Sequence, residues 1–164
     1  MVSYPMRTTS THAHQLQKEN MIMDIAIQNQ IHGVIANITE SSIVGIVCID
    51  LKGNSLQSML SMQSINQLNL KENIPITAYI PPATIIFSTT VQSAKAVAVT
   101  NRLRGKISAI HQGALYGLVS IDLIDGTTLT GSMTNATIRQ TNLTIGQEIY
   151  ALIKADDVIL STCP

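Results

Sequence analysis

This chain is one stretch of about seventy residues written twice, and whatever it folds into must be built from two copies of one unit. Displaced by 72 residues, "NQIHGVIANI" (29–38) lies over "NRLRGKISAI" (101–110). At nearly the same displacement "VGIVCIDLKGNSL" (44–56) lies over "YGLVSIDLIDGTTL" (116–129), the second copy carrying one extra residue in its turn. Past that insertion the offset is 73, so "INQLNLKENIPITAYI" (65–80) falls on "IRQTNLTIGQEIYALI" (138–153) and "IIFST" (85–89) on "VILST" (158–162). Two copies at this period indicate tandem domains, because solenoid repeats run at about 20 to 50 residues and need at least three units.

Each copy reads as strands. Val34, Ile35 and Ile38, then Ile46, Val47 and Ile49, are β-branched and closely spaced, which suits a pleated, half-buried surface. Gly33, Gly45 and Gly53 punctuate the first copy, and Gly105, Gly117 and Gly126 the second. "LKGNSL" and "LIDGTTL" are hairpin turns, the latter with the Asp-Gly signal. One short helix per copy is expected, in "SMQSINQLNL" from Ser61 and "TNATIRQTNL" from Thr134. Ser61 and Thr134 are N-cap residue types, and Ile65 and Ile138 follow four residues on, facing inward.

The class expected is therefore all-β with one short helix per domain, as two tandem small barrels of the OB type. The boundaries follow as an N-terminal tail over 1–20, a first domain over 21–89, a linker over 90–95 and a second domain over 96–164. "AVAVT" (96–100) reads as the opening strand of the second copy, matching "DIAIQ" (24–28).

Composition narrows the function. Of the residues, 45% are hydrophobic and 12% charged, which excludes a disordered chain. Ten Lys and Arg balance ten Asp and Glu, and four Tyr, one Phe and no Trp leave few stacking side chains. Both features argue against a nucleic-acid binder. No apolar run reaches the length of a membrane span, and the first twenty residues show no signal-peptide core, so a cytoplasmic location is expected. Cys48 and Cys163 make no disulfide framework, and Cys48 reads as a small core residue. His12 and His14 lack a Cys or acidic partner at ligand spacing, so no metal site is expected. No catalytic grouping is visible, and the chain is not read as an enzyme.

Over residues 100–162 strongly, and 24–89 more weakly, the chain resembles the molybdenum-pterin-binding Mop domain, one of the TOBE group of small OB-like barrels. The resemblance is carried by "NRLRGKI", "TNAT" and the closing "YALIKADDVILST". The tandem is similar to the di-domain molbindins and to the C-terminal half of the molybdate-responsive transcription regulator. It implies a cytoplasmic protein that binds molybdate or tungstate, for storage, homeostasis or sensing, with no covalently held cofactor. It further implies self-association, as a trimer of di-domain chains, and sites at interfaces between barrels. There one barrel offers its Ser-Ala-Arg-Asn motif and a Lys-Ala pair, and a neighbour offers Thr-x-x-Ser. Carried over, the oxyanion set is Thr100, Asn101, Lys154, Ala155, Thr134 and Thr137 in the second copy, with Ser61 and Ser64 in the first. Thr100 and Gln28 stand where the family has arginine, and Pro81 and Pro82 stand where the second copy has Lys154 and Ala155.

The residues agree with this chemistry on their own terms. A tetrahedral dianion only accepts hydrogen bonds, so its cage must be built from donors: hydroxyls, N–H groups at a helix start and a compact cation such as lysine. The same residues admit plainer readings. The hydroxyl pairs also suit plain capping of their helices, and Lys154 also suits a solvated partner of Asp156 or Asp157. Two rival functions stand beside oxyanion binding: an interaction module that has kept the barrel without its ligand, and, less favoured, an OB-type nucleic-acid binder.

Overall fold

The computed structural model describes residues 27–162. Each repeat begins with one long strand, β1 (Asn29–Glu40) or β6 (Asn101–Gln112), and that strand is bent so that its two ends pair with different neighbours. The first half of β1 pairs with β4 (Pro75–Ile80), and the second half with β2 (Val44–Asp50), with a register shift between Ile35 and Asn37. β6 repeats the pattern with β9 (Glu148–Ile153) and β7 (Tyr116–Leu123), shifting register between Ile107 and Ala109. A bulge at this place raises the local twist and bends the strand. Glycine permits the close crossing beside it, since a Cβ on Gly105 would lie 2.8 Å from the Asp122 carbonyl oxygen and one on Gly33 2.7 Å from that of Asp50.

The hairpin partners β3 (Ser55–Ser61) and β8 (Thr128–Thr134) extend each sheet and lead into short helices, α1 (Met62–Gln67) and α3 (Asn135–Thr141). The result is two curled five-stranded sheets, each a half-barrel. The expected all-β class with one short helix per repeat is what the structure contains, plus one further helix.

The last strand of each repeat joins the other repeat's sheet. β5 (Ile86–Ser88) pairs with β9, and β10 (Ile159–Ser161) pairs with β4. The sheet orders are accordingly β10-β4-β1-β2-β3 and β5-β9-β6-β7-β8. A short 3₁₀ turn, Pro82–Thr84 or Ala155–Asp157, carries the chain across each time. One cluster of buried side chains runs through both halves, from Ile35, Leu56 and Ile80 to Ile107, Leu129 and Ile153, with Leu160 of β10 included.

The third helix corrects the reading of the connection. Residues 96–100 do not form an opening strand; instead α2 spans Val91–Ala96, and residues 97–100 lie in no strand. Thr90 caps it, its Oγ1 accepting from the Ser93 N–H at 3.1 Å. The Arg102 guanidinium then donates to the carbonyls of Ala94 (2.9 Å) and Val97 (2.8 Å), satisfying acceptors that a helix end leaves unpaired. The alternating valines suggested a strand, but a good cap, Ala and Lys in the run, and one arginine favour a helical turn. Most of its counterpart, 24–28, lies outside the described residues.

Because Leu160 sits in the first half while belonging to the second repeat, Leu160→Ala should cost about 2–4 kcal/mol and lower the denaturant midpoint of the whole chain in one transition. A separate early transition for either half, seen by far-UV circular dichroism, would contradict the shared core.

Candidate functional site

The two helix starts are built alike. Ser61 Oγ accepts from the Ser64 N–H at 3.1 Å, and the two hydroxyl oxygens lie 2.9 Å apart. Thr134 Oγ1 accepts from the Thr137 N–H at 3.2 Å, with the hydroxyls again 2.9 Å apart. Each pair is thus a helix cap, and the capping reading is correct as far as it goes. Within a hydroxyl pair one O–H donates to the other oxygen, so a second O–H stays available outward. Of the first backbone donors, Met62 N–H goes to Ile43 O and Asn135 N–H to Leu115 O, both at 2.9 Å. The helices are seated by Ile65 and Ile138, which are buried and pack over Gly45 and Gly117, where any Cβ would overlap them.

Next to these caps the surface is apolar. Val44 pairs with Ser61 and Tyr116 with Thr134. At the hairpin tips Ile43 is 74% exposed and Leu115 76%. Large side chains this bare, flanking both hydroxyl pairs, form a rim that none of the described residues covers.

The strand-end corner of the second repeat holds the other candidates. Asn101 pairs with Ile153 at the end of β9, so Thr100, Asn101, Lys154 and Ala155 share this corner. Thr100 is exposed, and Ala155 is buried as the first residue of its 3₁₀ turn. Lys154 Nζ lies 3.6 Å from Asp156 and 3.9 Å from Asp157, with more than half its side chain exposed. Exposed pairs of this kind are worth about 0–1 kcal/mol, so the ammonium is not locked. The matching corner of the first repeat has the same turn with Pro81 and Pro82, and neither proline has a backbone N–H.

Asn101 does more than line a corner. Its buried Oδ1 accepts from the Gln57 N–H at 2.7 Å while its Nδ2 donates to the Gln57 carbonyl at 2.8 Å. Asn29 treats Thr130 in the same way, at 2.7 and 2.8 Å, and also donates to the Ile80 carbonyl at 2.9 Å. Each amide therefore acts as one residue of extra strand on the edge of the opposite sheet. This bracing was not read from the sequence. The available signal was an Asn at the same place in both copies, just ahead of a long strand.

The structure joins Ser61 with Ser64, Thr134 with Thr137, and Asn101 with the Lys154 corner, but it does not merge these groups within one chain. Gln57 marks the Lys154 corner on β3, and Ser61 lies four residues further, about 13 Å at the usual strand rise. Thr134 stands at the same remove from Thr130 and the Pro81 corner. Among the described residues no group of three or more His, Cys, Asp or Glu could hold a metal ion, and no helix is long and apolar enough to cross a membrane. His12, His14 and Cys163 lie outside the described residues.

Residues 98–160 match the TOBE domain. A probable molybdenum-pterin-binding protein of Haemophilus influenzae is 34% identical over 64 residues, covering 39% of this chain and 93% of that protein. The molybdenum transport protein ModE of Herbaspirillum seropedicae is 26% identical over 142 residues, which is 86% of this chain and 52% of that protein. The chain thus spans about half the length of that second relative. Among solved structures, the cytoplasmic molybdate-binding protein ModG with molybdate bound aligns with a TM-score of 0.80 at 26% identity. That alignment covers 85% of this chain and 99% of ModG.

The two asparagine braces should be separable by mutation. Removing an amide leaves backbone groups at the sheet edge unpaired, at about 1–3 kcal/mol each. Asn29→Ala, which loses three bonds, should therefore destabilise more than Asn101→Ala, which loses two. Urea unfolding of both variants measures this, and the reverse order would argue against the bracing role.

Proposed function

We propose that this chain, which belongs to the TOBE-domain family of molybdenum-pterin-binding proteins, binds molybdate or tungstate at sites closed between self-associated chains. The observation that carries the reading is its likeness, across 85% of this chain and 99% of the other, to a protein with molybdate bound. The role is storage, homeostasis or sensing of the oxyanion in the cytoplasm, without catalysis, and the assembly is a trimer of di-domain chains.

The site residues proposed are those of the sequence reading. One chain contributes the Lys154 corner: the ammonium, the Ala155 backbone and the neighbouring Thr100 and Asn101. A neighbour contributes a capped helix start, Thr134 with Thr137 or Ser61 with Ser64. Two facts favour closure between chains. The groups are separated along the strands of one chain, and the bare apolar rim at Ile43 and Leu115 lies beside the hydroxyl pairs. Burial of that rim would stabilise association by about 25 cal/mol per Å² of apolar surface and dry the cage at the same time.

The two corners are unequal. Asn29 donates to both Thr130 and Ile80, whereas Asn101 donates to Gln57 only, so among the described residues Asn101 keeps one amide hydrogen for a ligand. That hydrogen stands in the same repeat as Lys154. The Pro81 corner offers neither cation nor N–H, and a dianion desolvated there would lack compensation. We therefore assign binding to sites built on Lys154 alone, half the number that two equivalent repeats would give.

Molybdate or tungstate at about a hundred times its dissociation constant should raise the melting temperature by about 5–10 °C, with no such rise from equal sulfate. Lys154→Ala should remove the shift and keep the fold, while Pro81→Ala should leave both nearly unchanged. Native mass spectrometry reports the assembly and the number of bound ions together. No shift at millimolar molybdate would favour the ligand-free interaction module, in line with Thr100 and Gln28 at the arginine positions. Equal occupancy at the Lys154 and Pro81 corners would overturn the assignment of half the sites.

A further inference from the structure

The two repeats give their hydroxyl pairs different surroundings. In the second repeat Tyr116 is the direct cross-strand partner of Thr134, so both side chains leave the same face of the sheet with Cβ atoms about 4.5–5.5 Å apart. Tyr116 is 64% exposed, and among the described residues its phenol has no hydrogen-bond partner. In the first repeat Val44 holds the same place beside Ser61 and brings no polar side chain.

The loop that carries Tyr116 is tied to α3 twice. Asn135 donates from Nδ2 to the Gly113 carbonyl at 2.7 Å and from its backbone N–H to the Leu115 carbonyl at 2.9 Å. The Gly113 N–H in turn donates to the Tyr116 carbonyl at 2.8 Å. Asn135 Oδ1 is buried beside Gly117, out of a ligand's reach. In the first repeat Met62 stands in place of Asn135, and its side chain has no amide to make the second tie.

Charge separates the two places further. Residues 111–117 and 134–141, around Tyr116 and the threonine pair, hold Arg139 and no carboxylate. Their counterparts, 39–45 and 61–68, hold Glu40 and no Lys or Arg. Glu40 and Leu60 pair with Gly45 from opposite sides, which sets Glu40 two strand spacings, about 10 Å, from the Ser61 end of β3. That is about one screening length in 0.1 M salt, so its carboxylate still opposes a dianion there.

We propose that Tyr116 is a further donor of the oxyanion site and decides which hydroxyl pair completes it. On the proposed oxyanion function, on which this assignment rests, the Lys154 corner of one chain meets Tyr116, Thr134 and Thr137 of a neighbour. The Ser61 pair is left out. A phenol O–H suits the place because it donates to an anionic oxygen without adding charge. Its ring meanwhile belongs to the apolar rim that association covers.

Molybdate binding to the full chain is measured by calorimetry in wild type, Tyr116→Phe and Glu40→Gln, and by NMR of chains labelled at the tyrosine Cζ. Tyr116→Phe should weaken binding about tenfold, the scale of one hydrogen bond to a charged group. Its ligand-free melting temperature, and its assembly in native mass spectrometry, should match wild type. Of the four tyrosines, one Cζ resonance should shift on loading, and Tyr116→Phe should lack it. Glu40→Gln should leave the affinity unchanged. With wild-type binding intact, the role of Tyr116 is overturned by full affinity in Tyr116→Phe, by weakening that comes with lost assembly, by an unshifted Tyr116 resonance or by tighter binding in Glu40→Gln. A wild type that binds no molybdate overturns the oxyanion function and this role together, so the two failures are told apart.

Discussion

The exchange of β5 and β10 is the constraint on which the other features rest. A unit of about 65 residues buries too small a fraction of its surface to be comfortable alone. Here each half-barrel borrows its last strand, so neither sheet is complete without the other repeat. The opposite edges, β3 and β8, would still offer unpaired backbone groups, which is a hazard for any exposed strand. Asn101 and Asn29 cover those edges at one residue each, and the incoming 3₁₀ turns cover them further. Ser58 Oγ, on β3, donates to the Val158 carbonyl at 2.7 Å. At the matching place on β8 stands Gly131, where a Cβ would lie 2.5 Å from the Phe87 ring. The same gap is filled by a hydrogen bond on one side and by an aromatic ring on the other.

That comparison separates positions tied to packing from positions free to change. Asn29 and Asn101, Gly33 and Gly105, Gly45 and Gly117, and Ile65 and Ile138 are alike in both copies, and each touches the bend, the brace or the helix seat. The copies differ in charge where side chains face outward or lie at strand ends: His32 against Arg104, Val34 against Lys106, Pro75 against Glu148, Pro81 against Lys154. None of these changes disturbs the backbone, because a 3₁₀ turn starts as well at Pro81 as at Lys154. Charge has diverged on a framework that packing holds equal.

Much of this was legible from residues alone, because the signals were local. The duplication, the hairpin turns, the caps at Ser61 and Thr134 and the inward Ile65 and Ile138 all depend on neighbours within a few positions. The strand exchange was not legible, for a reason specific to a duplicated chain. "IIFST" and "VILST" are copies, so either suits either sheet in pattern and register. Pairing within the repeat and pairing across it are then indistinguishable in sequence, and only the path of the 3₁₀ turn decides. α2 escaped notice because part of its support comes from Arg102, eight residues past Ala94. Asn101 was read as a ligand donor, and the structure adds a brace that a motif does not reveal.

The exchange also explains how an unequal pair of repeats hangs together. In the proposed oxyanion site the second repeat holds the cation, and on charge alone the first is dispensable. Yet β9, which ends just before Lys154, is flanked on its outer side by β5 of the first repeat. Asn101, beside Lys154, is anchored on Gln57 of the first repeat. The turn that follows Lys154 is tied through Val158 to Ser58, again in the first repeat. Three supports of the Lys154 corner thus come from the copy whose own corner has lost its lysine. A repeat can give up its charge at Pro81 without cost to this corner, but it cannot give up β3 or β5. The first repeat is better understood as the mould in which the second repeat's corner is set.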